Sequence, residues 1–219
     1  MIRRIHQFFF DFNGKRLQDY PIFMRSRALF EAQKGWKYKL WNERQIEHLC
    51  RTRYPKLWSR YRRMLPIQRV DTAKYLVADA IGGVIADLDV LSRRPLDEVV
   101  GASPYVFDRC SRKGIIANDF FYCGHGLPGI ADFLLENLAR VDAIPAYEER
   151  RLRYIFQSTG PDAFTRYLKK YAGLAGYTRA LSNRTFLDSK QRHRDVGVRG
   201  AAIDVIHHLS WQDQVRPRL

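Results

Sequence analysis

Apolar and polar residues follow one another along this chain in blocks whose period changes several times. The opening "RIHQFFFDF" is a dense apolar run between polar ends, the pattern of a short strand buried on both faces, as in a parallel sheet. "KGWKYKLWN" alternates Trp36, Tyr38 and Leu40 with lysines and predicts a second, half-buried strand. The sequence between the two is helical in character, so the pair suggests a βαβ unit. "NERQIEHLCRTRYPKLWSRYRRMLP" reads as a helix, a break near Pro55, and a second helix ending before Pro66. Leu57, Trp58, Tyr61, Met64 and Leu65 recur at three-to-four spacing, while Arg60, Arg62 and Arg63 fall largely elsewhere around the axis. That spacing makes an amphipathic, basic element.

The spacing next predicts a helix over 69–81, where Val70, Ala73, Val77, Ala80 and Ile81 follow the 3.6-residue period. Asp71, Lys74, Tyr75 and Ala78 share a different face, so an acid and a base aim the same way beside a small residue. Gly82 can close this helix in the left-handed conformation. "VIADLDV" then has the alternation of a strand, in which residues two apart share a face, so Asp87 and Asp89 are expected to point together. Beyond Pro95 the pattern is less regular. "KGIIANDFFYCGHGLPGI" holds strand-like pieces among glycines, residues 130–141 read as a helix, and "STGPDAFTRYLKKYA" as a turn feeding another, with Pro161 in its first turn. "GAAIDVIHHLSW" reads as a last strand and turn. With no internal repeat or linker, residues 1–219 are expected to form a single α/β domain.

Charge narrows the choice of partners. The 219 residues carry a formal net charge of +15, a field that favours polyanions: nucleic acid, an anionic membrane face or phosphorylated substrates. The best candidate for a membrane span, "YLVADAIGGVIADLDV", is broken by Asp79, Asp87 and Asp89. The apolar stretch at the N-terminus is too short and too soon acidic for a signal peptide, so residence in the cytosol is expected. Cys50, Cys110 and Cys123 suit neither a disulfide framework nor a thiolate metal site.

Against that positive background the paired acids call for a cation. Two like charges on one face repel, and burying them unpaired costs several kcal/mol per ion. Mg²⁺ or Mn²⁺, hard ions that accept carboxylate oxygens and leave positions open for phosphates, would remove that cost. The plainer reading of a bare D-x-D is a solvated strand end whose acids meet Arg93 and Arg94.

The surroundings of the acids carry a resemblance. "QRVDTAKYLVADAIGGVIADLDV", with Arg69, Asp71, Tyr75, Leu76, Gly82, Gly83, Asp87 and Asp89, resembles the signature of the DXD-containing glycosyltransferase family 32, which includes an initiating mannosyltransferase and capsule enzymes. The clostridial glucosylating toxins are more distant relatives. "RRIHQFFF" is similar to that family's opening strand, "STGPDAFTRYL" to its Thr-Gly-Pro segment, and "VIHHLSW" to its closing His-x-x-Ser-Trp pattern. The four blocks stand in the family's order from end to end. Lys74 replaces the family's usual Arg, and a lysine cannot make the planar fork of a guanidinium.

The resemblance implies a GT-A-like fold, a Rossmann-related mixed, mainly parallel sheet flanked by helices, and a metal-dependent hexosyltransferase using a nucleotide sugar, a UDP-sugar ahead of a GDP-sugar. It implies Mn²⁺ or Mg²⁺ on Asp89, on Asp87 (or Asp87 on the ribose) and on His207, with His208 open as the alternative. It further implies donor contacts from His6, Gln7, Phe8, Arg69, Tyr75, Asp87, Ser210 and Trp211, and sugar-facing roles for Asp71, Lys74 and Asn118, with Asp119 beside it. Transfer with retention, to a saccharide or lipid-linked acceptor in polysaccharide or glycan biosynthesis, follows from the same likeness. The basic helical region 51–63, which interleaves Tyr54, Trp58 and Tyr61 with cations, suits peripheral contact with anionic lipid at the cytoplasmic face. No nucleic-acid signature accompanies it. The reading from another class is a basic protein, binding nucleic acid or an anionic membrane, whose DXD is not catalytic.

Overall fold

The computed structural model describes residues 1–11, 14–109, 114–142, 151–187, 193–196 and 201–206. The chain runs through β1 (Arg4–Phe8), α1 (Pro21–Glu31), β2 (Lys37–Trp41), α2 (Glu43–Arg53), α3 (Pro55–Tyr61), α4 (Pro66–Ile81), β3 (Gly83–Ala86) and β4 (Val90–Ser92). It continues through α5 (Leu96–Val100), β5 (Tyr105–Arg109), β6 (Ile116–Cys123), α6 (Ile130–Asp142), α7 (Arg151–Ser158), α8 (Pro161–Lys170) and α9 (Ala172–Ala175). It closes with β7 (Thr178–Arg179), β8 (Ser182–Leu187), β9 (His193–Val196) and β10 (Ile203–Ile206).

The central sheet has the order β2-β1-β3-β6-β5-β7. β1 lies parallel to β2 and β3, β7 lies parallel to β5, and β6 runs antiparallel to both β3 and β5. The apolar blocks predict an α/β architecture, and the mixed, mainly parallel sheet is the one that the resemblance implies. Side chains alternate across it. Phe8, Ile85, Phe107, Phe121 and Cys123 join a core with α2, α3, α4, α6 and α8. Ile5, Val84, Ala86, Val106, Phe120 and Tyr122 join a second core with Phe30 of α1, Val99 and Val100 of α5, and Ile203 and Val205. Both faces are covered, which is why the strands carry so few polar residues.

α4 begins at Pro66 rather than at residue 69, because proline suits a first helical turn and the Gln68 side chain accepts from the Leu65 N–H at 2.9 Å. At its far end two glycines are sterically required. A Cβ on Gly83, at φ 107°, would sit 2.5 Å from the Arg4 carbonyl oxygen, and one on Gly82 would sit 2.8 Å from that of Cys123. These contacts let β3 slide between β1 and β6.

The second sheet, of order β4-β10-β8-β9, is not foreseen by the sequence pattern. Residues 84–90 were expected to form one strand. Instead β3 ends at Ala86 in the central sheet and β4 starts at Val90 in the second sheet. Asp87, Leu88 and Asp89 form the turn between them, closed by the Val90 N–H donating to the Asp87 carbonyl at 3.1 Å. Leu88 is buried in this turn while the two acids stay partly exposed. Cys50 and Cys123 are buried free thiols, and Cys110 lies outside the described residues. Among the described residues no helix is long and apolar enough to cross a membrane.

Candidate active site

The turn stands at the carboxyl end of β1 and β3, the edge where open α/β sheets bind their ligands. β6 runs the opposite way, so its beginning reaches the same edge, and the Asp87 N–H extends the ladder to the Asp119 carbonyl at 2.8 Å. α4 starts there as well, and its spacing brings Asp71, Lys74 and Tyr75 onto one side at i, i+3 and i+4. Three segments far apart in sequence therefore converge on the acidic turn.

Lys74 lies at the centre. Its ammonium is 2.8 Å from Oδ1 and 2.9 Å from Oδ2 of Asp87, 3.1 Å from Asp71 Oδ1, and 3.4 Å from the Asn118 carbonyl. The Asn118 amide donates to Asp71 Oδ1 at 2.9 Å and to the Tyr75 hydroxyl at 3.0 Å. Tyr75 in turn donates to the Thr159 carbonyl at 2.7 Å, and the Thr159 hydroxyl donates to Asp71 Oδ2 at 3.2 Å. Asp71 and Lys74 are 5% and 2% exposed, so an acid and a base are held in the core by charge-assisted hydrogen bonds.

The electrostatics are lopsided. Burial alone would lower the Lys74 ammonium's proton affinity, but Asp87 and Asp71 outweigh it and hold the group above the usual lysine range. Burial raises Asp71, with Lys74, Thr159 and Asn118 pulling it back. Asp87 is pushed up to about 8: burial raises it, Lys74 opposes, and Asp89 and Asp119 push it further. Its side chain retains 29% exposure, which tempers the part due to burial. The charges of Asp89 and Asp119 act in the same direction as burial, against the one ammonium that Asp87 shares with Asp71.

The site has a second layer of support. Gln7 donates to the Asp87 carbonyl at 3.1 Å and to Ser26 at 2.8 Å, and accepts from the Tyr38 hydroxyl at 3.0 Å. Ser26 donates to the Val90 carbonyl, so Gln7 of β1 and Ser26 of α1 together hold the two ends of the turn. Asn137 donates to the Gln157 and Ser158 carbonyls at 2.9 and 2.7 Å, and Gln68 donates to Ser158 Oγ at 2.7 Å. These bonds fix the backbone leading into Thr159.

Not every residue marked from sequence reaches the rim. Both nitrogens of His6 are engaged inside the core, Nε2 with the Gly82 carbonyl and Nδ1 with Trp41 Nε1, each at 3.0 Å. Phe8 packs within the core on the α4 side. Arg69, two positions before Asp71 and so on another face of α4, pairs with Glu43 of α2. The structure thus gives His6, Phe8 and Arg69 packing and pairing partners away from the Asp87–Lys74 cluster. Gln7 meets the turn at the Asp87 backbone. His207, His208, Ser210 and Trp211 lie outside the described residues. Just before them, the Ile206 N–H donates to the Asp89 carbonyl at 2.9 Å. Sequence reasoning marked the Thr-Gly-Pro segment but missed that Thr159 bonds Asp71 directly, a contact 88 residues apart.

A mixed sheet with an acidic turn at its carboxyl edge, backed by an acid and a base from one helix, is a GT-A-like arrangement. Residues 24–106 match the family model described as the glycosyltransferase sugar-binding region containing the DXD motif. That match covers well under half of the chain and marks a similarity to the sugar-binding region of the DXD-containing glycosyltransferases. Over 90 residues it is 26% identical to inositol phosphoceramide mannosyltransferase 1 of Schizosaccharomyces pombe, an overlap of 41% of this chain and 28% of that protein. The chain thus spans little more than a quarter of the length of that curated relative. Its fold is similar to the solved PaToxG glycosyltransferase, with a TM-score of 0.52 and 13% identity over 78% of this chain and 69% of that one.

Proposed function

We propose that this protein transfers a sugar from a nucleoside-diphosphate donor, a UDP-sugar ahead of a GDP-sugar, to a saccharide or lipid-linked acceptor, with retention and with help from Mn²⁺ or Mg²⁺. Glycan or surface polysaccharide assembly on the cytoplasmic side of a membrane is the setting that fits. The observation that carries this reading is the Asp71–Lys74–Asp87 cluster at the sheet's carboxyl edge, with Asp89 in the same turn.

The residues fit a divalent cation. Burial raises Asp87, Lys74 opposes that rise, and Asp89 and Asp119 add to it; at the partly exposed turn its carboxylate and that of Asp89 are hard oxygen donors. Asp89 and Asp87 would hold the metal, joined by His207 (or His208), which follows Ile206 in the chain. When bound, the metal supplies positive charge against the departing diphosphate. Within the chain's own chemistry, Lys74 opposes the rise that burial imposes on Asp87 and Asp71 and places a cation beside the reacting region. Asp71, fixed by Asn118 and Thr159, accepts hydrogen bonds from hydroxyls of the donor sugar. Ser210 and Trp211 contribute diphosphate contacts. Gln7, through the Asp87 carbonyl, keeps the turn in register.

Calorimetry with UDP and with GDP, with and without Mn²⁺, tests the reading. Metal-linked binding of one nucleotide that disappears in Asp89→Asn is expected. Binding indifferent to Mn²⁺ and unchanged in Asp89→Asn would overturn it.

A further inference from the structure

The basic helical stretch takes no part in the proposed chemistry, yet the fold gives it an orientation. α2 buries Ile46 and Cys50, and α3 buries Leu57 and Tyr61, all into the core on their side of the sheet. Each helix therefore turns its opposite arc outward. On α2 that arc holds Arg44, His48 and Arg51, and along α3 and the turn after it lie Lys56, Arg62 and Arg63, all exposed. The edge strand β2 adds exposed Lys37 and Lys39. Between residues 37 and 63 no Asp or Glu is exposed. Glu43 and Glu47 are half-buried, and Glu43 is paired with Arg69. The result is a surface on which cations predominate, with Asp142 of α6 paired to Arg60 at its border.

The aromatic residues on this face turn inward. Tyr61 is fully buried. Trp58 stacks on it, with centroids 6.2 Å apart and planes 20° apart, and Arg62 covers Trp58 at 5.4 Å. The Tyr54 hydroxyl donates to Asp79 at 2.8 Å. Rings committed in this way offer no platform for stacking bases, which binding of single-stranded nucleic acid needs. The exposed large apolar residues Met1, Met24 and Phe156 belong to other segments. What this face offers is a clear excess of exposed cations, Arg44, Arg51, Lys56, Arg62 and Arg63, over the acids Glu43 and Asp142 that pair with Arg69 and Arg60, without a wedge to insert, and that matches the negative surface potential of anionic lipid.

The face also borders the candidate site. α3 and the Arg62–Arg63 turn lead directly into α4, whose first two turns carry Gln68 and Asp71. We infer that the α2–α3 face is an electrostatic dock for an anionic lipid surface, and that it holds the sheet's carboxyl edge beside a lipid-linked acceptor. The dock itself stands on the charge of this surface. The acceptor class rests on the sugar-transfer reading and narrows it from a saccharide to a lipid-linked one.

Co-sedimentation of the full chain with vesicles tests the dock, comparing phosphatidylcholine alone with phosphatidylcholine containing phosphatidylglycerol. Binding only to the anionic vesicles, weakening as salt rises, is expected. The combined variant Arg51→Gln, Lys56→Gln, Arg62→Gln, Arg63→Gln should bind them at least about tenfold more weakly, with an unchanged melting temperature and unchanged nucleotide binding. Equal binding to neutral and anionic vesicles would overturn the inference, as would full vesicle binding by the variant. So would a single-stranded oligonucleotide binding more tightly than anionic vesicles at the same ionic strength. Vesicle binding reads the dock and UDP calorimetry reads the sugar-transfer function, so the failure of one is distinguishable from failure of the other.

Discussion

Lys74 shows how much a single side chain decides in this protein. Its ammonium touches both oxygens of Asp87 and one of Asp71, and without it two carboxylates would face each other in surroundings from which most water is excluded. Removing one partner of a buried ionic cluster costs more than the cluster contributes, because the remaining charges cannot be solvated. Lys74→Met should therefore lower the unfolding free energy by about 3–5 kcal/mol, measured by urea denaturation. Lys74→Arg keeps the charge and should retain most of that stability. Equal stability of Lys74→Met and the wild type would mean that the acids are neutralised in some other way.

Local sequence marks Asp71 and Lys74 as neighbours on one helix face, and marks Asp87 as an acid in search of a cation. It does not pair them. Lys74 and Asp87 are 13 positions apart, with the end of a helix, two glycines and a strand between them. That pairing requires β3 to double back along α4.

At the level of elements, the parallel strands are locked together at their buried ends. His6 in β1 accepts from Trp41 of β2 and donates to the Gly82 carbonyl between α4 and β3. Its neutral imidazole thus joins the sheet to the helix that supplies the site. Burial is the main reason its pKa falls to about 4; the Gly82 carbonyl opposes the shift, and nearby Arg4 and Lys39 add to it. The sign follows from where the proton goes first. As pH falls through the ordinary value near 6.5, the unfolded chain takes up the proton before the folded one does. The stabilisation is therefore complete above that pH and lost as pH falls toward 4. The loss is about 3 kcal/mol for a shift of this size. Denaturation midpoints of the wild type and His6→Gln, followed from pH 7 to pH 4, should converge by about that amount. Parallel curves would mean that His6 is protonated at the same pH in both states.

Periodicity places these elements well because helices and strands each repeat over a few residues. The strand assigned to residues 84–90 fails for a definite reason. An alternating pattern looks the same whether the chain continues in one sheet or turns into another, and the choice is made by β10, more than a hundred residues later, which pairs with β4.

Over the whole molecule, the two sheets must be held in a fixed relation if the acidic turn between them is to keep its geometry. Asp108 of β5 contributes to this. Fully buried, it accepts from the Leu181 N–H at 3.0 Å and from Ser182 Oγ at 2.5 Å, at the point where β8 begins the second sheet. Asp108→Ala leaves those donors without an acceptor and should cost about 2–3 kcal/mol. Hydrogen exchange should quicken in β8 and β10 before it does in α4. Uniform acceleration across the chain would show instead that Asp108 supports the fold as one unit.

By itself the sequence determined the α/β layering, the helix that carries Asp71, Lys74 and Tyr75, and the presence of an acidic pair after two glycines. All of these follow from short-range periodicity and steric rules that operate within a few residues. Only the tertiary structure decided that the acids occupy a turn between two sheets, that Lys74 is shared by Asp87 and Asp71, that Thr159 completes the cluster, and that His6 and Arg69 have partners elsewhere. The reason is physical: a charge or a hydrogen-bond donor takes whichever partner folding brings within about 3 Å, and chain entropy places no mark on the sequence to say which distant segment that will be.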